Sequence, residues 1–263
     1  MINVIQAIFL GLVQGFTEFF PVSSSGHLVL FQDILGIDGG SGMMMSFDIM
    51  LHIGTLISLL IVFWKEFWGL FKPPFNRLLM LVVATIPAAL IGALFQDPIT
   101  SFFGTGKWLP YFFLITAALL FTTESYSRRR PLGTSVGWKQ VGIMGIAQAI
   151  AVIPGLSRSG CTISAGILSG AEREKAAKFS FFMSIPVIAG AALVTVAHGG
   201  TSGMSDIGFT TLAAGMIAAA VSGFFALKLM LKVVKRNNYK WFVFYLVALS
   251  IFTFLNYYII HLF

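Results

Sequence analysis

Two short polar runs lie inside apolar stretches of the chain, and they contain the residues best suited to catalysis. The first run, residues 21–27, reads Pro-Val-Ser-Ser-Ser-Gly-His and follows Glu18 closely. A hydroxyl, an imidazole and a carboxylate are the groups needed to activate a weak oxygen nucleophile. The run therefore predicts a serine nucleophile assisted by Glu18 and His27. The alternative is that His27 is only a hydrogen-bonded structural residue.

The second run, residues 154–160, reads Pro-Gly-Leu-Ser-Arg-Ser-Gly and contains Arg158. Serine is a favoured helix N-cap, and a helix N-terminus attracts anions. The planar guanidinium of arginine suits two-point contact with a phosphate. Together the two runs predict a phosphate site. The alternatives are that the serines only cap helices and that Arg158 only forms an ion pair with Glu18.

The elements that carry these runs must lie in a membrane. Hydrophobic residues make up 57% of the 263 residues and charged residues only 10%, against about 25% charged residues in a soluble domain. At about 20 residues per crossing, the length allows roughly eight spans and no soluble domain. We therefore predict one membrane domain, residues 1–263. The net charge of +7 is explained by basic residues beside spans, so no nucleic-acid partner is expected.

Six apolar segments are predicted as plain membrane spans, and two others are interrupted by the polar runs. The six are 47–64, 78–95, 108–123, 179–197, 208–231 and 241–260, and the interrupted ones are 3–32 and 142–170. Of the seventeen Lys and Arg residues, fifteen lie in four connections, which the positive-inside rule places in the cytoplasm. Residues 142–170 have basic flanks on both sides and are too short for two crossings. They are therefore predicted to form a re-entrant helical hairpin, and both chain termini are predicted outside.

The chain also shows an internal repeat. A shift of 134 residues places Gly11, Gln14, Ser23, Ser25 and Gly26 on identical residue types in the second run and its flank, and the plain spans recur at similar shifts. The predicted halves are 1–130 and 131–263. Each contains a hairpin and three spans, and an odd number of spans makes the repeat inverted, with the hairpins meeting near the midplane.

Within this repeat, position 24 matches position 158. Nucleophile and phosphate clamp would then occupy equivalent places, which favours Ser24 among the three adjacent serines. Gln14 and Gln148 are expected to pair across helices. Asp48 and His52 share one face of a span, and Asp48 is expected at the rim of the site.

Residues 14–27 (Gln-Gly-Phe-Thr-Glu-Phe-Phe-Pro-Val-Ser-Ser-Ser-Gly-His) and 154–162 (Pro-Gly-Leu-Ser-Arg-Ser-Gly-Cys-Thr) closely resemble the two signatures of the undecaprenyl-pyrophosphate phosphatase family, the bacitracin-resistance proteins. The resemblance covers nearly the whole chain. It implies hydrolysis of undecaprenyl pyrophosphate to the monophosphate lipid carrier of cell-wall synthesis, in the bacterial inner membrane with the site open to the outer face. The implied catalytic residues are Ser24, Glu18, His27 and Arg158. The substrate-binding candidates are Gln14, Ser23, Ser25, Ser157, Ser159 and Thr162.

The resemblance implies an acidic motif of Glu or Gln followed four residues later by Glu. The acidic motif contains Gln14 and Glu18, and thus one carboxylate, whereas Ser25 stands where Thr is frequent. The resemblance implies a divalent cation, Mg²⁺ or Ca²⁺, but the sequence shows no convincing set of metal ligands. The expected partners are a polyprenyl pyrophosphate and membrane lipids, and formation of a homo-oligomer is left open.

Two other functions share features with this sequence. Inverted repeats with broken helices are also typical of secondary transporters, so a lipid-phosphate flippase or anion transporter is the alternative from another class. Lipid phosphatases with a histidine nucleophile need a His six residues after the Arg, where this chain has Ser164. The spacing therefore argues against that enzyme class.

Overall fold

The computed structural model of the chain describes residues 2–37, 40–103, 105–129, 133, 135–197, 207–236 and 238–262. These residues are mainly helical and contain no β-strand. Eleven α-helices are described: α1 (Val4–Phe19), α2 (Ser24–Ile34), α3 (Gly40–Val62), α4 (Trp64–Gly69), α5 (Asn76–Phe103), α6 (Leu109–Arg129), α7 (Trp138–Ile150), α8 (Arg158–Leu168), α9 (Arg173–Ala197), α10 (Phe209–Arg236) and α11 (Lys240–Leu255).

Five of these helices are long and apolar enough to cross a membrane, namely α3, α5, α9, α10 and the segment Lys240–Ile260. Large apolar side chains such as Phe244 and Leu193, both 71% exposed, cover their outer surfaces, as expected where lipid is the solvent. The predicted span 108–123 corresponds to α6, which has 21 residues but ends in a polar stretch from Thr122 to Arg129. The chain is thus an all-helical, multi-pass membrane protein.

Each predicted broken segment consists of two helices separated by a non-helical turn. α1 ends at Phe19 and α2 begins at Ser24, because Pro21 cannot continue a helix and restricts the residue before it. α7 ends at Ile150 and α8 begins at Arg158, with Gly155 at φ +93° in the turn. Both interruptions therefore fall at the polar runs.

The connection predicted at 96–107 is shorter than expected. α5 continues through Pro98 to Phe103, followed by a single 3₁₀ turn, Gly106–Trp108. A proline inside a membrane helix is tolerated because neighbouring groups can satisfy the freed backbone carbonyl. The predicted end of the span at residue 95 was therefore wrong, because α5 continues to Phe103.

Small residues hold the first helix of each pair close to a helix from the other half of the chain. α1 packs on α10, and α7 packs on α5. A Cβ at Gly11 would overlap the carbonyl oxygen of Gly215, and one at Gly145 would lie 2.9 Å from the carbonyl oxygen of Ala84. Glycine and alanine thus allow the backbones to approach closely, as is common between membrane helices.

Candidate active site

The buried carboxylate of Glu18 lies at the centre of the polar cluster. Glu18 occupies the last turn of α1 and is 7% exposed. Its Oε2 accepts hydrogen bonds from Ser24 Oγ at 2.7 Å and from Gln14 Nε2 at 3.1 Å. Its Oε1 accepts from Arg158 Nη2 at 2.6 Å. A buried charge requires such partners, so these four side chains form one unit.

The contact between Ser24 and Glu18 has the geometry needed for proton transfer. A base must lie about 2.6 to 3.2 Å from the hydroxyl that it deprotonates, and the observed separation is 2.7 Å. Ser24 is half-buried at the first position of α2. Ser23, which precedes it, is the N-cap and has φ 71°, a region that a non-glycine residue rarely adopts. Such strain is characteristic of functional turns.

His27 does not contact Ser24 through a hydrogen bond in this arrangement. Its Nδ1 lies 2.7 Å from the carbonyl oxygen of Ser23 and its Nε2 lies 2.6 Å from the hydroxyl of Tyr245. Since a carbonyl only accepts, Nδ1 carries the proton and Nε2 of the neutral ring accepts from Tyr245. The rings of His27 and Tyr245 are also stacked. His27 therefore orients the turn that holds Ser24.

Arg158 joins the two helical pairs. Besides its ion pair with Glu18, its Nη1 donates to the carbonyl oxygen of Ser180 at 3.1 Å. The side chain is 16% exposed. Arg158 thus forms the ion pair with Glu18 that a purely structural role would also require. Arginine has five N–H donors, so two hydrogen bonds leave capacity for an anion.

The capping serines of the two turns make matching hydrogen bonds. Ser23 Oγ accepts from Gly26 N at 3.2 Å and Ser157 Oγ accepts from Gly160 N at 3.0 Å. In addition, Ser159 Oγ donates to the carbonyl oxygen of Phe20 at 3.0 Å. The N-termini of α2 and α8 are therefore both capped by a serine. The N-terminus of α8 is also hydrogen-bonded to the turn between α1 and α2.

Two more contacts complete the junction. Ser25 Oγ accepts from Gly155 N at 3.4 Å, which ties the first turn to the second in the reverse direction. Thr162 Oγ1 donates to the carbonyl oxygen of Arg158 at 2.8 Å and lies 2.6 Å from Ser180 Oγ. Ser25 is thus at the junction, whereas the hydroxyl of Thr162 is used within the protein to fix α8 against α9.

The expected pair of Gln14 and Gln148 does not form. Gln14 Nε2 donates to Glu18, and Gln148 Nε2 is 3.5 Å from the carbonyl oxygen of Ala84 on α5. The reason is that α1 and α7 pack on α10 and α5 respectively, so the two amides face different helices. Gln14 instead supports the carboxylate.

Sequence reasoning did not assign two neighbours of the site. His52 on α3 has its Nε2 3.6 Å from Glu18 Oε2, and Tyr245 on α11 contacts His27. The spacing of Asp48 and His52 marked one face of α3, but it could not show that this face meets Glu18. Asp48 itself accepts from Gln32 Nε2 at 2.9 Å.

The residues around Glu18 do not fit a resident metal ion. Among the residues that the structure describes, no group of three or more His, Cys, Asp or Glu side chains could hold one. Both carboxylate oxygens of Glu18 already accept hydrogen bonds from protein groups. The side chains around Glu18 can instead exchange protons and bind an anion.

Comparison with known proteins identifies the family. The family model described as "Bacitracin resistance protein BacA" matches residues 7–252. A protein named undecaprenyl-diphosphatase from Carboxydothermus hydrogenoformans is 40% identical over 252 residues, 95% of each chain. Proteins of the same name from Halothermothrix orenii and Parabacteroides distasonis are 39% and 40% identical over 92% and 91% of this chain and 94% and 93% of theirs. With two turns that join Glu18, Ser24 and Arg158 in one cluster, this chain belongs to the BacA bacitracin resistance family.

Proposed function

We propose that this chain hydrolyses undecaprenyl pyrophosphate to undecaprenyl phosphate and inorganic phosphate, and so recycles the lipid carrier for cell-wall synthesis. The observation that carries the proposal is the hydrogen bond from Ser24 Oγ to the buried carboxylate of Glu18 at 2.7 Å, with Arg158 on the other oxygen. Relatives named undecaprenyl-diphosphatase align over nearly the full chain. A transporter of intact lipid breaks no covalent bond, so it does not need a hydroxyl paired with a base beside Arg158.

In the first step, Ser24 Oγ attacks the terminal phosphorus of the lipid pyrophosphate while Glu18 Oε2 accepts the hydroxyl proton. The bond from that phosphorus to the bridging oxygen breaks, and lipid monophosphate leaves. In the second step, water attacks the phosphoserine and Ser24 Oγ leaves with the proton from Glu18. Glu18 therefore acts as base and then as acid.

The groups of the chain that can hold the substrate phosphates are the Arg158 guanidinium and backbone dipoles. Arg158 can pair with two phosphate oxygens, and the backbone N–H groups in the first turns of α2 and α8 lack intrahelical partners. Ser23, Ser25, Ser157 and Ser159 shape these two turns, Gln14 steadies Glu18, and Thr162 fixes α8. The two steps above use only groups of this chain, because the described residues contain no group of three or more His, Cys, Asp or Glu side chains that could hold a resident Mg²⁺ or Ca²⁺.

Hydrolysis in detergent tests this proposal against the transporter alternative. Purified protein given undecaprenyl pyrophosphate in micelles should release one inorganic phosphate per lipid, since catalysis needs no membrane gradient. The readout is phosphate by colorimetry and lipid monophosphate by mass spectrometry. Protein that is folded and binds the lipid but releases no phosphate would favour the transporter.

We also propose that the helices form six spans and two re-entrant hairpins, arranged as an inverted repeat with halves of about 1–130 and 131–263. Three pairs of matching contacts support it. Gly11 lies against a backbone carbonyl of α10, and Gly145 lies against one of α5. Ser23 and Ser157 cap α2 and α8 in the same way. Each of the two turns is hydrogen-bonded to the other. In this arrangement α6 is the sixth span, both termini are outside, and the site opens to the outer face of the bacterial inner membrane.

Single cysteines can test this topology. Lys139 and Gly208 are both exposed and lie on opposite sides in the proposed arrangement. In cells, an impermeant maleimide should label a cysteine at position 208 directly and one at position 139 only after permeabilisation. The protein without an added cysteine provides the background, because the native Cys161 is buried. Labelling of both positions from the same side would contradict the topology.

A further inference from the structure

His52 lies beside the Glu18–Ser24 pair but outside both polar runs, and the mechanism above does not use it. Its Nε2 is 3.6 Å from Glu18 Oε2, the same oxygen that accepts the Ser24 hydrogen bond. At 3.6 Å the contact is slightly longer than a hydrogen bond. The side chain of His52 is 28% exposed, whereas that of Glu18 is 6% exposed. His52 is thus the more exposed member of the pair.

The backbone of α3 determines which nitrogen of His52 can exchange a proton. Nδ1 lies 2.7 Å from the carbonyl oxygen of Asp48, and because a carbonyl only accepts, Nδ1 is the donor. Nε2 is then the atom that gains or loses a proton, and it faces Glu18. Asp48, the other carboxylate near His52, accepts from Gln32. Arg158 lies on the opposite oxygen of Glu18.

The reaction releases one proton, which comes from the attacking water. Above neutral pH, a lipid pyrophosphate trianion and water give a lipid phosphate dianion, a hydrogen phosphate dianion and one proton. In the two steps described, Glu18 returns the Ser24 proton to Ser24, so the additional proton comes from the attacking water. Glu18 is itself protonated while water attacks. Without an acceptor the phosphate leaves as dihydrogen phosphate and loses this proton in solution, whereas a group that takes up the proton during the attack makes the water a stronger nucleophile.

We propose that His52 is the group that carries this proton out of the site. Nε2 takes the proton released by the attacking water, directly or through one bridging water, and loses it to the solvent at the exposed edge of the ring. The role rests on the proposed hydrolysis. The polar contacts of His52 are with the carbonyl oxygen of Asp48 and with Glu18, so it assists turnover without binding the phosphate.

The test compares His52→Ala and His52→Gln with the unaltered protein in the detergent assay. General acid–base groups contribute about 10²- to 10⁴-fold, and because water can replace part of the exchange, we expect kcat to fall by about 10²-fold in both variants. KM should stay within about two-fold, since no phosphate contact is lost. Imidazole added to His52→Ala should restore part of kcat, because the position is partly exposed. Pyrazole, which has the same shape but is too weak a base, should not.

Two controls separate the possible results. Ser24→Ala gives the blank, and His261→Ala, at an exposed histidine near the C-terminus, should be active and insensitive to imidazole. Unchanged kcat in both His52 variants, or equal rescue by imidazole and pyrazole, overturns the proton role. Failure of the unaltered protein to release phosphate would instead overturn the proposed function itself.

Discussion

Replacing Ser24 with Ala is expected to lower the rate of phosphate release by at least about 10³-fold while leaving substrate binding largely unchanged. At 1.36 kcal/mol per factor of ten, this is at least about 4 kcal/mol of activation free energy. The reason is that Ser24 Oγ is the hydroxyl hydrogen-bonded to Glu18, whereas alanine has no nucleophile. Arg158 and the helix N-termini remain to bind the phosphates. The measurement is kcat in detergent together with equilibrium binding of the lipid.

The neighbouring serines provide matched controls for this substitution. Ser25 Oγ lies 3.4 Å from Ser23 Oγ and from Gly155 N, whereas the hydroxyl that is hydrogen-bonded to Glu18 is that of Ser24. Ser23→Ala and Ser25→Ala should therefore retain part of the activity. If Ser24→Ala still hydrolyses the lipid at a substantial rate, then water rather than serine attacks the phosphorus. Glu18 would in that case activate the water.

Replacing Arg158 with Lys is expected to reduce kcat/KM by about 10²- to 10³-fold, or about 2.7 to 4 kcal/mol, the cost of losing one donor that stabilises transition-state charge. Lysine keeps the positive charge beside Glu18 but loses the planar fork that can hold Glu18, Ser180 and a phosphate oxygen together. The measurement is steady-state kinetics with the melting temperature in detergent recorded for each variant.

Arg128 supplies a control for the same chemical change elsewhere in the chain. Its Nη2 contacts Glu124 Oε1 at 2.6 Å, the same separation as in the pair between Arg158 and Glu18. Arg128→Lys should keep nearly full activity, because that pair is not part of the site. Near-native turnover in Arg158→Lys would mean that Arg158 is only a structural partner of Glu18.

The local parts of the site could be predicted from the sequence, and the distant ones could not. Glu18 and Ser24 are six residues apart across a proline turn, so short-range geometry was enough to predict their association, and the structure places them 2.7 Å apart. The partner of His27, Tyr245, is 218 residues away. No local pattern indicates which helix covers His27, and the same applies to the face of α3 that brings His52 to Glu18.

The fold shows the same division. Hydropathy and the two prolines located the helices and their interruptions, because both act on the local chain. The limits were less accurate, since α3 begins at Gly40 and α5 ends at Phe103, whereas the predicted spans were 47–64 and 78–95. The pairing of Gln14 with Gln148 was wrong because it required knowing which helices pack together. The continuation of α5 through Pro98 was also missed, since a proline breaks a helix only where no neighbour compensates for the lost hydrogen bond.

The packing of α1 on α10 and of α7 on α5 means that each half of the chain supports the other half's hairpin. A polypeptide with only the first half would contain Glu18 and Ser24 but would lack the helix that presses on Gly11 and the arginine that neutralises the carboxylate. A second copy of this half, inserted upside down, could supply the helix that packs on Gly11 but not the arginine, because position 158 corresponds to Ser24 in the first half. A gene duplication that fused two such copies would fix both orientations in one chain, and afterwards only one hairpin would need to keep the nucleophile while the other specialised in holding the anion.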